Sequence, residues 1–201
     1  MTQTVEVYQR LAPIYDLIYG VTLAPGRRHA MRRLAPRLGE SILEIGVGTG
    51  LSAVEYPQGC RVVAIDLSAP MLARARARLA RRRVQHVTLC RMDAARLAFP
   101  DARFDAIYAP YVMNVVPDPV NVAREILRVC RRAGRIVLLN HFDGVNGASH
   151  PVHRLLGHLV SRIGVNWHVD LNSFLRDSGL NAQSVELVNV PRVSSVVVCY
   201  K

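Results

Sequence analysis

Two hundred and one residues suit one domain, because a chain of this length buries roughly 70% of the surface it exposes when unfolded, enough for a full core. The 26 basic and 15 acidic side chains leave a formal charge of +11, which favours an anionic partner, either nucleic acid or a phospholipid surface. Cys60, Cys90, Cys130 and Cys199 lack metal-ligand spacing, and no stretch approaches the roughly 20 apolar residues of a membrane span; zinc binding, a disulfide framework and membrane integration are disfavoured, and a reducing cytoplasm fits.

In chain order, the first forty residues read as a helical cap. A helix-like piece carries Val5, Tyr8, Leu11 and Ala12, breaks at Pro13, and resumes through Ile14, Tyr15, Leu17, Ile18 and Tyr19. Pro25-Gly26 then opens a basic helix with Arg27, Arg28, Arg32, Arg33 and Arg37. Ser41–Ile45 reads as a buried strand, and Leu51-Ser52-Ala53-Val54-Glu55 as the start of a helix. Strand-like runs follow at Arg61–Ile65, Val87–Arg91, Phe104–Ala109, Arg135–Asn140, Ala182–Val188 and Val193–Tyr200, with helical patterns at Pro70–Leu79 and Pro119–Cys130. That rhythm predicts an α/β fold with a seven-stranded, mostly parallel Rossmann-like sheet, helices on both faces and an antiparallel final pair at one edge. Pro151–Gly164 sets Val152, Leu155, Leu156, Leu159 and Ile163 on one helical face, where it and the N-terminal segment can cover the ligand end of the sheet. One domain over 1–201 is predicted, with a cap over 1–40 and a catalytic core over 41–201.

Leu43-Glu44-Ile45-Gly46-Val47-Gly48-Thr49-Gly50 carries the most information. Three alternating glycines after a strand let a backbone pass flush against a ligand. A dinucleotide fingerprint needs Gly or Ala where this chain has Leu51, so that reading loses ground to E-x-G-x-G-x-G; a plain glycine turn is the bland alternative. Asp66, at the end of the second strand, is placed to accept both hydrogen bonds of a ribose diol, since Ser68 and Pro70 already supply the helix cap and its first turn.

The E-x-G-x-G-x-G turn, Asp66, and Arg91-Met92-Asp93-Ala94 after the third strand together resemble class I S-adenosylmethionine-dependent methyltransferases. The resemblance implies S-adenosylmethionine as cofactor and S-adenosylhomocysteine as product. It implies cofactor contacts from Gly46, Gly48 and Gly50, and from Asp66 to the ribose. Asp93 and Ala94 would meet the adenine, Glu44 the methionine end, Leu67 and Met71 the apolar walls, and Pro110 and Tyr15 the rest of the site.

Tyr15-Asp16-Leu17-Ile18-Tyr19-Gly20, Tyr111-Val112-Met113-Asn114-Val115-Val116-Pro117-Asp118-Pro119 and Asn140-His141-Phe142 resemble soluble bacterial phosphatidylethanolamine N-methyltransferases, relatives of quinone-biosynthesis C-methyltransferases. Arg132-Ala133-Gly134 stands where that family carries Pro-Gly-Gly. A phospholipid substrate follows from the resemblance, with Tyr8, Tyr19, Tyr111, Asn114 and His141 at the acceptor amine, and His141 and Tyr19 as catalytic candidates. Tyrosine faces can hold a methylated ammonium at roughly 0.5–2 kcal/mol each, although Tyr8 fits sheet packing as well. The basic helix would meet an anionic membrane surface, placing the protein in the cytoplasm against the inner face of the cell membrane. Only Lys201 of the 26 basic residues is lysine, so compositional bias accounts for part of this charge. The nearest rival is a methyltransferase acting on a quinone precursor or another small metabolite. A nucleic-acid substrate is not expected, since no added binding module or N-P-P-Y-like motif is present, and no obligate protein partner is implied.

Overall fold

The computed structural model describes residues 22–145, 169–189 and 194–201. Helix α1 (Ala24–Leu34) precedes strand β1 (Ser41–Ile45). There follow β2 (Arg61–Asp66), α2 (Ala69–Arg81), β3 (Val87–Arg91), β4 (Phe104–Pro110), α3 (Pro119–Val129), β5 (Cys130–Asn140), α4 (Leu171–Ser178), β6 (Ala182–Val188) and β7 (Ser194–Tyr200). The predicted N-terminal helix with Tyr8, Tyr15 and Tyr19, and the predicted helix over Pro151–Gly164, lie outside the described residues.

The strands make one seven-stranded sheet in the order β3-β2-β1-β4-β5-β7-β6. β7 runs antiparallel to β5 and β6, and the other pairs are parallel, so the predicted fold class and edge pair stand. All five residues of β1 are buried, as a central strand covered on both faces requires. Leu43 and Ile45 face a core shared with Ile126 of α3 and Phe174 of α4. Ile42 faces the opposite core, with Leu34 of α1 and Leu72 and Leu79 of α2. The order reverses between β1 and β4, and a crevice outside the C-terminal ends of those strands is where sheets of this kind bind ligands.

Local chemistry explains the helix ends. Ser68 Oγ accepts from Met71 N–H, and the Asp118 and Asp170 carboxylates accept from Asn121 and Ser173 N–H, so three helices open on side-chain caps. Helix α1 ends without glycine, at Ala35 in the left-handed region (φ 44°). Buried Arg135 compensates: Nε donates to the Leu34 carbonyl (2.9 Å), and Nη2 to the Ala35 carbonyl (3.3 Å) and to Glu40 (2.6 Å).

Two expectations need correction. Leu51–Glu55 is a series of turns instead of a helix start, with i to i+3 bonds from Gly50 N–H to Val47 O and from Glu55 N–H to Ser52 O. Five residues ahead of Pro57 are too few to offset helix nucleation, and that proline disfavours a helical Tyr56. The fifth strand begins at Cys130, five positions before the predicted Arg135. Phe104 pairs with Cys130 and Ala106 with Arg135, so Arg131–Gly134 loops out of the ladder. Ala133 occupies the left-handed region there (φ 57°), and a Cβ on Gly134 would sit 2.6 Å from Cys130 Sγ.

Candidate active site

The glycine turn sits at the C-terminal end of β1. Gly46 and Val47 N–H both donate to the Ile65 carbonyl (2.8 and 3.0 Å), binding the turn to the end of β2. Gly46, Gly48 and Gly50 all have left-handed φ (71°, 52° and 79°), yet their surroundings differ. A Cβ on Gly46 would run into Val112 Cγ2, and one on Gly50 would lie 3.1 Å from Ala75 of α2. At Gly48 the added atom meets nothing within 4 Å. Two glycines therefore serve packing, and the middle one leaves backbone open to a ligand.

Asp66 holds this turn from the neighbouring strand. Its Oδ2 accepts from Gly48 N–H (2.8 Å) and its Oδ1 from Ser68 N–H (2.9 Å). Burial pushes the carboxyl above its ordinary range, with the Ser68, Gly48 and Leu67 amides pulling the other way. An ionised carboxylate offers about four lone-pair sites, more than these amides use, so acceptor capacity remains for a ribose hydroxyl. Met92 N–H donates to the Asp66 carbonyl (3.2 Å), drawing the β3 end and Asp93 toward the same crevice. Asp93 is exposed and caps its own turn through Ala95 N–H (2.9 Å), and Ala94 packs against the core. Leu67 is 43% exposed whereas Met71 is 8% exposed, so Leu67 is the apolar side chain open at this end and Met71 belongs mainly to the interior.

Glu44 is fully buried, and neither carboxylate oxygen has a hydrogen-bond partner; the hydroxyls of Tyr56 and Tyr108 are likewise unpartnered. Desolvation pushes its carboxyl up to about 8. The Tyr56 and Ser52 hydroxyls lie close enough to lower it somewhat without completing hydrogen bonds, Glu55 raises it further, and the Arg27 guanidinium lowers it. An orphaned acid beside an open glycine turn is a ready acceptor for a cationic group. Sequence reasoning missed its neighbours. Arg27, expected on the basic exposed face of α1, is buried, and Arg33 pairs with Glu186 (3.0 Å). Arg28, Arg32 and Arg37 are exposed as expected.

Four strand ends and the first turn of α1 meet beyond this crevice. Pro110 ends β4, and Tyr111 follows in the left-handed region (φ 58°), its ring centroid 5.4 Å from that of His141 after β5. Asn114 grips the His141 backbone, its Nδ2 donating to the carbonyl (3.0 Å) and its Oδ1 accepting from N–H (3.2 Å). Asn114 thus positions His141. Asn189 Nδ2 donates to Tyr111 Oη (3.1 Å) and Ser194 Oγ (2.9 Å), and Ser194 Oγ lies 3.2 Å from His141 Nδ1. Asn189 and Ser194 escaped the sequence reading; the Asn-Val-Pro run at Asn189 signals a turn but carries no hint of its distant partners. Tyr8, Tyr15 and Tyr19 lie outside the described residues.

The open face at Gly48, the spare acceptor sites of Asp66 and the unpartnered acid at Glu44 suit a nucleoside that carries an amino group, as S-adenosylmethionine does. Residues 43–138 match a methyltransferase domain family. The phosphatidylethanolamine N-methyltransferase of Cereibacter sphaeroides is 40% identical over 164 residues, covering 81% of this chain and 79% of that protein. The demethylmenaquinone methyltransferase of Thermus thermophilus is 33% identical over 157 residues, 74% and 70% of the two chains. Among solved structures, the geranyl diphosphate C-methyltransferase of Streptomyces coelicolor, in complex with S-adenosyl-L-homocysteine, shares the fold (TM-score 0.72, 16% identity, 87% and 76% covered). The chain belongs to the class I S-adenosylmethionine-dependent methyltransferases.

Proposed function

We propose that this methyltransferase acts on the amine of phosphatidylethanolamine, and of its mono- and dimethyl forms, toward phosphatidylcholine at an anionic membrane surface. The observation that carries the reading is the 40% identity, spread over 81% of the chain, with a phosphatidylethanolamine N-methyltransferase.

Bound S-adenosylmethionine supplies a sulfonium methyl to a neutral amine by in-line displacement. The residues here bind and orient. Gly48 and Asp66 would hold the ribose side, Asp93 the adenine, and Glu44 the methionine ammonium. Tyr111, with its ring beside His141, offers an aromatic wall to an ammonium that can no longer donate a hydrogen bond once fully methylated. By the resemblance, Tyr15 would serve the cofactor and Tyr19 the acceptor amine. Free alkyl amines are mostly protonated near neutrality, and a buried acceptor region favours the neutral, nucleophilic form.

A diacyl lipid stays in its bilayer, so the enzyme must visit the surface. Exposed Arg28, Arg32 and Arg37 would each contribute about 1 kcal/mol near anionic lipid, a smaller set than the five arginines of the sequence expectation, because Arg27 is buried and Arg33 is paired. Among the described residues no helix is long and apolar enough to cross a membrane.

The relation to demethylmenaquinone methyltransferases supports one alternative, a quinone precursor as acceptor, with the same cofactor residues. Purified protein, labelled S-adenosylmethionine and vesicles of phosphatidylethanolamine with phosphatidylglycerol decide between them. Label in N-methylated lipid is expected; label confined to an added quinone precursor, with lipid inert, refutes the proposal.

A further inference from the structure

Asn189 and Ser194, five residues apart, join Gly26, 163 residues from Asn189, in one hydrogen-bonded unit ending on His141. Gly26 N–H donates to Asn189 Oδ1 (2.8 Å). A backbone N–H cannot pair with an NH2 group, so this bond fixes which end of the Asn189 amide is oxygen. A Cβ on Gly26 would fall 2.6 Å from that oxygen, so the approach requires glycine. Asn189 Nδ2 then spends its two hydrogens on Tyr111 Oη and Ser194 Oγ.

Ser194 is fully buried, and its oxygen already accepts from Asn189. Its own hydrogen needs an acceptor, because a buried hydroxyl hydrogen left unpaired loses the water it was bonded to and gains nothing in return. Two acceptors lie beside it, Tyr111 Oη and His141 Nδ1 (3.2 Å); a hydrogen given to Tyr111 would leave that hydroxyl's own hydrogen without an acceptor among the described residues, whereas Tyr111 donating to Ser194 Oγ sends the serine hydrogen to His141 Nδ1. Donation into Nδ1 requires that nitrogen to be bare, and the neutral ring then carries its hydrogen on Nε2.

We propose that Asn189 and Ser194 are positioning residues that hold His141 in its Nε2–H form, so that His141 donates a hydrogen bond to an oxygen in the acceptor region instead of receiving the amine's proton. Nδ1 is covered by Ser194, and Nε2 has no lone pair to offer. The assignment deepens the proposed methyltransferase site and rests on His141 facing the acceptor; the tautomer itself is independent of which acceptor that is.

Side-chain nitrogen NMR on the full-length protein, without lipid, reads the tautomer directly, and the His141→Gln spectrum assigns the resonances. The expected wild-type pattern is a bare Nδ1 and a protonated Nε2. Ser194→Ala should mix the two tautomers. Asn189→Asp keeps the acceptor for Gly26 N–H but draws both hydroxyl hydrogens to its carboxylate, so the ring should switch to Nδ1–H. An Nδ1–H pattern in the wild type, or one unchanged in both variants, overturns the proposal. Kinetics on whichever acceptor is methylated adds a second reading. His141→Gln keeps a donor near the Nε2 position and should hold kcat/KM within about tenfold, whereas loss of a general base costs about 100-fold or more and would remove the acidic limb of the pH profile. If phosphatidylethanolamine proves inert while the NMR pattern is as expected, the lipid assignment fails and this one stands.

Discussion

Replacing Glu44 by glutamine should make the protein less sensitive to alkali. The buried carboxyl is raised from 4.5 to about 8, so between those values the folded chain binds a proton that the unfolded chain has released. Stability from this group is therefore complete below the unfolded pKa and is lost as pH rises through the folded one. At about 1.36 kcal/mol per pH unit, the full span amounts to about 5 kcal/mol, of which about 3 kcal/mol falls between roughly pH 5.5 and pH 8.5. Burial also raises Asp66, with the same sign, but that contribution is common to both proteins and cancels in the comparison. Urea unfolding of ligand-free wild type and Glu44→Gln at the two pH values isolates the difference. The wild-type midpoint should fall relative to the variant by about 1 M or more on going to the higher pH, given roughly 1–3 kcal/mol per M. Parallel pH dependences in the two proteins would mean that Glu44 is solvated or paired, and its orphaned state would be refuted.

Arg135→Met should cost about 3 kcal/mol or more, since it strands Glu40 and uncaps the Leu34 and Ala35 carbonyls; urea unfolding with an Arg135→Met/Glu40→Gln cycle checks it. Ala133→Gly should stabilise by about 1 kcal/mol in the same assay, relieving a left-handed alanine at the looped-out segment before β5. Gly48→Ala should fold with a loss of about 1 kcal/mol but bind S-adenosylhomocysteine at least about tenfold more weakly by calorimetry, because its methyl enters the open face of the turn. Gly46→Ala, whose methyl meets Val112, should lose more stability than Gly48→Ala.

Strands β1, β3 and β6 have the bounds read from sequence because each apolar run ends in residues that change the backbone's options, such as Gly46 after β1. The errors share a different cause. The sequence reading begins this strand at Arg135, where continuous pairing does start; no local pattern announces the earlier Cys130 pair or the looped-out Arg131–Gly134, which Lys201 holds from far along the chain: Ala133 N–H donates to the Lys201 carbonyl and Lys201 N–H to that of Gly134. Likewise an arginine reads as surface by type, yet Arg27 and Arg135 are 8% exposed because the sheet supplies them with buried surroundings that helix periodicity does not contain.

The two halves of the site differ in the same way, and the difference bears on what governs each. The proposed cofactor half is built by three consecutive strand ends, where Gly48 and Ser68 lie within 20 residues of each other and both bond to Asp66. Such a site is readable as a motif and should tolerate sequence change elsewhere. The proposed acceptor half joins Gly26, Tyr111, His141, Asn189 and Ser194, with Asn189 bonded to a glycine 163 residues away. Its geometry depends on α1 docking over β5 and β7, and hence on the Arg135 cap at the far end of that helix. Arg135→Met should therefore disturb the His141 tautomer from the opposite end of the sheet while leaving S-adenosylhomocysteine affinity within about threefold, at temperatures where the variant is folded. Equal damage to both halves would show instead that the sheet responds as one rigid unit.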